Sequence, residues 1–100
     1  MNLETIGKSL RLRDIPELNV STAADVRDRT RAQLAAAHEL LDIDLSQTRF
    51  MDSSGLGALI ALHKTMSGRG GRLRIINPTL SVQQILELTR LHRVFEIVKE

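Results

Sequence analysis

At 100 residues with 42% hydrophobic side chains, the chain is expected to form one compact domain, residues 1–100, too small for two lobes flanking a cleft and so for a large enzyme. It has no cysteine, which excludes disulfides, thiolate zinc sites and cysteine nucleophiles and fits a reducing cytoplasm. Fourteen basic against twelve acidic side chains give no strong field, and the longest apolar run, Leu56 to Leu62, falls far short of the roughly 20 residues of a membrane span.

The expectation is therefore a soluble, unprocessed cytoplasmic protein without membrane insertion. In chain order, Ser9 to Arg13 alternates apolar and basic residues and reads as a short strand, with a partner over Leu3 to Ile6 turning at Gly7-Lys8. Pro16 removes a ladder donor, so Ile15 to Val20 is an edge strand or a loop. Ser21 to Asp25 has the chemistry of a helix start, with a hydroxyl cap and an acid near the positive end of the dipole. Val26, Thr30, Leu34, Ala37 and Leu41 then recur at helical spacing.

Leu41 to Leu45 alternates strictly, which turns Leu41, Ile43 and Leu45 toward a helix layer and Asp42 and Asp44 toward solvent. The two aspartates share a strand face, but no third ligand accompanies them, so they read as a solvated surface rather than a metal site. From Ser53 to Met66 apolar residues nearly encircle a helix, the one the core is built around. Gly68, Gly70 and Gly71 stop it before a strand, Leu73 to Ile76. That is the reverse of the strand-loop-helix order of a phosphate-cradling loop. Asn77-Pro78-Thr79 opens a further helix with the stripe Val82, Ile85, Leu86 and Thr89, running into Leu91, and Phe95 to Val98 closes the chain as a strand. Alternating strands and helices imply an α/β domain with a mixed, mostly parallel sheet of four to five strands and three to four helices.

The second half of the chain carries seven basic and four acidic residues, with Arg69, Arg72 and Arg74 as the centre of any basic face. Single-strand nucleic-acid binders need aromatic platforms, however, and the chain has only Phe50 and Phe95. Direct nucleic-acid binding is not expected. Nor is catalysis: Ser53 and Ser54 lack the glycine two positions upstream that a nucleophile elbow needs. His38 and His63 fall within or late in helices and His92 near the last turn, without a reason to face the serines. No histidine pair has metal-ligand spacing.

The stretch Asp52-Ser53-Ser54-Gly55-Leu56-Gly57 is the most informative in the chain. A helix N-terminus leaves amides unpaired and positive, so Asp52 and Ser53 suit a cap. A cap needs one side chain, though, and three polar residues stand in line. Gly55 and Gly57 each cost about 0.5 to 1 kcal/mol relative to alanine inside a helix, which implies that bare backbone is wanted, either for close packing or for access by another protein. The serines also follow a strand at its C-terminal side, the usual place for function in α/β sheets.

These residues carry a family resemblance. The segment RFMDSSGLGALIALHK, with PELNVSTAADVRDRTRAQL, GRGGRLRIINP and ILELTRLHRVFEI in order around it, resembles the STAS domain family of bacterial anti-sigma factor antagonists and sulfate transporters, from about Leu10 onward. The resemblance implies a STAS-like fold without cofactor and a partner switch. Unphosphorylated, the chain would bind an anti-sigma factor that is also a serine kinase; phosphorylation of Ser53 would release it, and a serine phosphatase would restore binding. By position it implies a docking surface of Glu17, Asn19, Asp52, Ser53, Ser54, Gly55, Leu56 and Gly57. Where the family reads Gly-Glu-Leu-Asp, this chain has Pro16-Glu17-Leu18-Asn19, and Arg90 stands where glycine is frequent. The alternative implied by the same family is a non-switching regulatory subunit of a transport ATPase complex, for example in lipid transport.

Overall fold

The structure is a computed structural model that describes residues 1–100 throughout. The chain runs β1 (Asn2–Ile6), β2 (Ser9–Arg13), β3 (Glu17–Leu18), α1 (Ala23–Gln33), β4 (Leu40–Asp44), β5 (Phe50–Met51), α2 (Ser53–Gly68), β6 (Arg72–Ile76), α3 (Leu80–Leu88), a 3-10 turn (Leu91–Arg93) and β7 (Glu96–Val98). Five strands form a mixed sheet in the order β1-β2-β4-β6-β7, antiparallel only between β1 and β2, and β3 pairs with β5 in a separate parallel ribbon. This is the expected α/β architecture. The N-terminal hairpin is complete, turning at Gly7, whose φ of 58° suits glycine.

Register explains which side holds the core. Leu10, Leu41 and Leu73 align across β2, β4 and β6, as do Leu12, Ile43 and Ile75, and all six are at most 3% exposed. They pack in one cluster with Val26 of α1, Leu59, Leu62 and Met66 of α2, and Val82 and Leu86 of α3. Burial of each such side chain contributes about 1.5 to 3 kcal/mol.

The intervening row, on the face turned away from the helices, is Glu4, Arg11, Asp42, Arg74 and Glu96, one residue from each strand and alternating in sign. Asp42 sits at its centre. Its carboxylate accepts from Arg74 Nε and Nη2, both at 2.7 Å, and lies 3.6 Å from Arg11 Nη2. Arg11 also reaches Glu100 at 2.8 Å, which raises its pKa through that hydrogen bond. The expectation of a solvated Asp42 is corrected here: it does point away from the helices, yet it is 2% exposed because the two arginine chains and their partners lie over it. Asp44 is half-buried and accepts the Ser46 amide at 2.8 Å. Removing one member of a buried pair leaves the other charge uncompensated. The arginines keep about a fifth of their side-chain surface in water, so Asp42→Ala is expected to cost about 2 to 4 kcal/mol, below the 3 to 5 of a fully buried pair, measured by urea unfolding.

Two helix boundaries differ from the sequence reading. α1 ends at Gln33, so Ala37 and Leu41 are not part of its stripe: the backbone becomes extended at Leu34, and the Ala35 amide donates to His38 Nδ1 at 2.9 Å rather than continuing the helix. His38 is consequently a buried loop residue, its Nε2 3.0 Å from Thr5 Oγ1, and not a helical one. α3 ends before Leu91, where Arg90 takes the left-handed conformation at φ 61° that glycine favours at helix ends.

Candidate functional site

At the end of β5, Met51 turns into the core and Asp52 takes extended backbone angles before α2 begins at Ser53. The Asp52 carboxylate is shared. Oδ1 accepts the Gly55 amide of its own helix and Oδ2 accepts the Val20 amide from the β3–α1 loop, each at 3.0 Å. One side chain thus caps α2 and ties the neighbouring loop to it. These amide donors, Gly55 first, hold the Asp52 pKa below its ordinary value.

The sign of that shift fixes a pH dependence. A depressed carboxylate contributes stability that is fully present above its unfolded pKa, near 3.8, and lost as pH falls through the lower folded value. Asp52→Ala is expected to lower the melting temperature at pH 7 and to flatten the loss of stability below about pH 4; an acid limb identical to that of the parent protein would contradict this assignment.

With Asp52 serving as the cap, Ser53 is not needed for it, and here the sequence reading narrows to one residue. Ser53 is the first residue of the helix and exposed, Ser54 is half-buried, and neither hydroxyl has a hydrogen-bond partner within the protein. The two glycines separate as well. A Cβ on Gly55 would lie 2.0 Å from the Leu18 carbonyl oxygen, whereas a Cβ on Gly57 would meet nothing within 4 Å. Gly55 serves close packing of α2 under β3, and Gly57 presents bare backbone to solvent.

The opposite wall is the loop after β3. Asn19 Oδ1 accepts the Ser21 amide at 3.0 Å and its Nδ2 donates to Glu17 Oε2 at 3.2 Å. An aspartate at 19 would face Glu17 with like charge, so the neutral amide suits this local geometry. The expected hydroxyl cap of α1 is corrected: Thr22 is the N-cap, but its hydroxyl makes no cap hydrogen bond and instead turns back to donate to the Glu17 carbonyl at 2.9 Å.

Glu17, Asn19, Asp52, Ser53, Ser54, Gly55, Leu56 and Gly57 therefore fall on the paired ends of β3 and β5 and the first turns of α2. Gly55 is buried, Asp52, Asn19, Ser54 and Leu56 are half-buried, and Glu17, Ser53 and Gly57 are exposed. Sequence reasoning missed two neighbours, Val20 at 75% and Phe50 at 52% exposure. The signal for Phe50 was available, since alternation places it opposite the buried Met51. Val20 had none, because its exposure follows from the turn that its amide makes to Asp52. The result is an apolar and polar rim rather than a cleft. The largest hollow in the molecule, about 600 Å³, is lined by Met1, Asp14, Pro16, Ser46, Gln47, Arg49 and Thr79 and contains none of these residues.

The other candidate chemistries disperse. His63 packs edge-on against Phe95 at 5.6 Å, and His92 Nδ1 lies 3.4 Å from the Leu86 carbonyl oxygen. Arg74 is committed to Asp42, Arg72 faces Glu96 at 3.7 Å, and Arg69 donates to the Ala35 carbonyl. No helix is long and apolar enough to cross a membrane.

The STAS domain family model matches residues 1–100. A Thermotoga maritima protein assigned as an anti-sigma factor antagonist is 34% identical over 53 residues, 53% of this chain and 47% of its own length. The anti-sigma-B factor antagonist of Listeria monocytogenes is 27% identical over 81 residues, 81% of this chain and 71% of its own length. The matched region is thus about half the length of the first of these relatives. Among solved structures, a Thermotoga maritima protein with the same assignment superposes with a TM-score of 0.90 at 23% identity, over 99% of this chain and 85% of that one. The Bacillus cell fate determinant SpoIIAA in its phosphorylated form gives 0.77 at 20% identity, over 99% and 89%. At these identities the structural likeness speaks for the fold alone.

Proposed function

The chain belongs to the STAS domain family, and from that membership we propose that it is an anti-sigma factor antagonist working in a partner switch. Unphosphorylated, it binds an anti-sigma factor that is also a serine kinase and so frees a sigma factor; phosphorylation at Ser53 ends the binding, and a serine phosphatase restores it. The observation that carries the reading is the division of labour at α2, where Asp52 takes the cap and leaves the exposed Ser53 hydroxyl unpaired at the helix N-terminus.

Phosphorylation adds about −1.5 to −2 charges and three acceptor oxygens. At the first residue of a helix these meet free amides and the positive end of the dipole, so the fold tolerates them. A docked partner does not. There the phosphate loses water beside the Asp52 carboxylate, and about 2.7 kcal/mol of such cost weakens binding a hundredfold. The switch acts through charge at a surface and requires no rearrangement of the domain. The exposed Val20 and Phe50 supply the apolar contact that such a surface needs beside its polar rim.

The test is direct. Incubation with the anti-sigma factor kinase and ATP, followed by mapping of the phosphate, is expected to place it on Ser53 alone; label on Ser54, or on neither serine, refutes the assignment. Affinity capture separates this function from the non-switching alternative: a kinase-like anti-sigma factor is expected, and a transporter ATPase would favour the other reading.

A further inference from the structure

The surface of α3 carries an unexplained apolar ridge. Leu80 and Leu88 are 74% and 84% exposed, more than is usual for leucines on a helix whose inner face, Val82 and Leu86, is fully buried. They are spaced four residues either side of Gln84, so the three form one i±4 ridge about 12 Å long. Gln84, Glu87 and Leu88 also line a shallow hollow on the same helix. The ridge belongs to neither the Ser53 rim nor the core.

We propose that α3 is a self-association surface, at which a second copy of this chain docks antiparallel about a two-fold axis through Gln84. Three features of the helix fit a second copy. The sequence Leu80-x3-Gln84-x3-Leu88 reads the same in both directions, so an antiparallel copy sets Leu80 of each chain beside Leu88 of the other, in the hollow next to it. The residue on the axis is an amide, which carries a donor and an acceptor and therefore satisfies its own symmetry mate. Finally, Glu87 lies in the last turn of α3, against the negative end of its own dipole, and α3 has no acid in its first turn and no base in its last. An antiparallel copy brings its positive N-terminal turn, around Ser81, alongside that carboxylate. The interface is isologous, as closed dimers require, and a single short helix supplies less than the roughly 800 Å² per partner of a standard interface. The dimer is accordingly weak and concentration-dependent.

Sedimentation equilibrium of the unphosphorylated chain alone, over a concentration series reaching about 1 mM, where a millimolar Kd becomes visible, tests the proposal. A monomer–dimer equilibrium is expected, and Leu88→Glu, at a site 84% exposed and so tolerated by the fold, is expected to weaken it at least about tenfold. Because the chain has no cysteine, Gln84→Cys offers a second readout: mild oxidation is expected to cross-link it into dimers, with Lys64→Cys on exposed α2 surface remaining monomeric. A chain that stays monomeric throughout, a dimer that survives Leu88→Glu, or equal cross-linking at both cysteine positions overturns the proposal.

Discussion

Gly55→Ala is expected to destabilise the domain by about 4 kcal/mol or more, a large part of the 5 to 15 kcal/mol that holds a typical domain together. The added methyl would lie 2.0 Å from the Leu18 carbonyl oxygen and 2.8 Å from its carbon. These are backbone atoms, and the same carbonyl accepts the Asp52 amide at 3.3 Å. Relief therefore requires moving β3 off β5 or lifting the start of α2 out of the core, beyond the 1 to 3 kcal/mol of ordinary overpacking. Gly57→Ala, two residues on, meets open space and is expected to stabilise the fold by about 0.5 to 1 kcal/mol, the helix preference for alanine. Urea midpoints of the two variants measure the contrast, and a Gly55→Ala protein as stable as its parent would contradict the packing role.

Ser53→Asp is expected to move stability and binding in opposite directions. An acid in the first turn of α2 meets the positive end of the helix dipole and adds about 0.3 to 1 kcal/mol to stability. The same charge, set beside Asp52 in a desolvated interface, is expected to weaken binding of the proposed anti-sigma factor partner about a hundredfold, or about 2.7 kcal/mol. Ser53→Ala removes the acceptor without adding charge, so it should bind within about threefold of the parent, some 0.7 kcal/mol, and resist release by kinase and ATP. Thermal melts and calorimetric titrations separate the two effects. Weakened binding accompanied by a lower melting temperature would point to damaged structure rather than to charge.

Most of the main sheet was legible in the sequence because its strands alternate cleanly. Leu10 and Leu12, Leu41 and Ile43, and Leu73 and Ile75 each announce one buried face, and the register then aligns them. What could not be read were features decided by tertiary contacts. The end of α1 is set by a loop histidine taking the Ala35 amide, in a stretch of alanines that carries no stop signal of its own. The ribbon of β3 and β5 has two residues per strand, too few for any periodicity. Asp42 was correctly oriented but wrongly hydrated, because the arginines that cover it come from strands distant in sequence.

The candidate site shows the same division. Asp52, Ser53 and the two glycines were marked by an excess of polar and helix-breaking residues at one helix start. The sequence could not say which polar residue caps the helix, nor which glycine is packed. Geometry gives the cap to Asp52 and the packing to Gly55, leaving Ser53 and Gly57 outward. Asn19, at the position where the family resemblance implies an aspartate, has a local explanation in its hydrogen bond to Glu17: with an amide there, the loop holds one carboxylate fewer next to Asp52.

In the proposed partner switch, charge on Ser53 is what governs partner binding. Calorimetric titration of the anti-sigma factor with the same preparation, before and after stoichiometric phosphorylation of Ser53, tests it most directly. A loss of affinity of about a hundredfold, restored by phosphatase treatment, is expected from such a switch. Equal affinity of the two forms would contradict it.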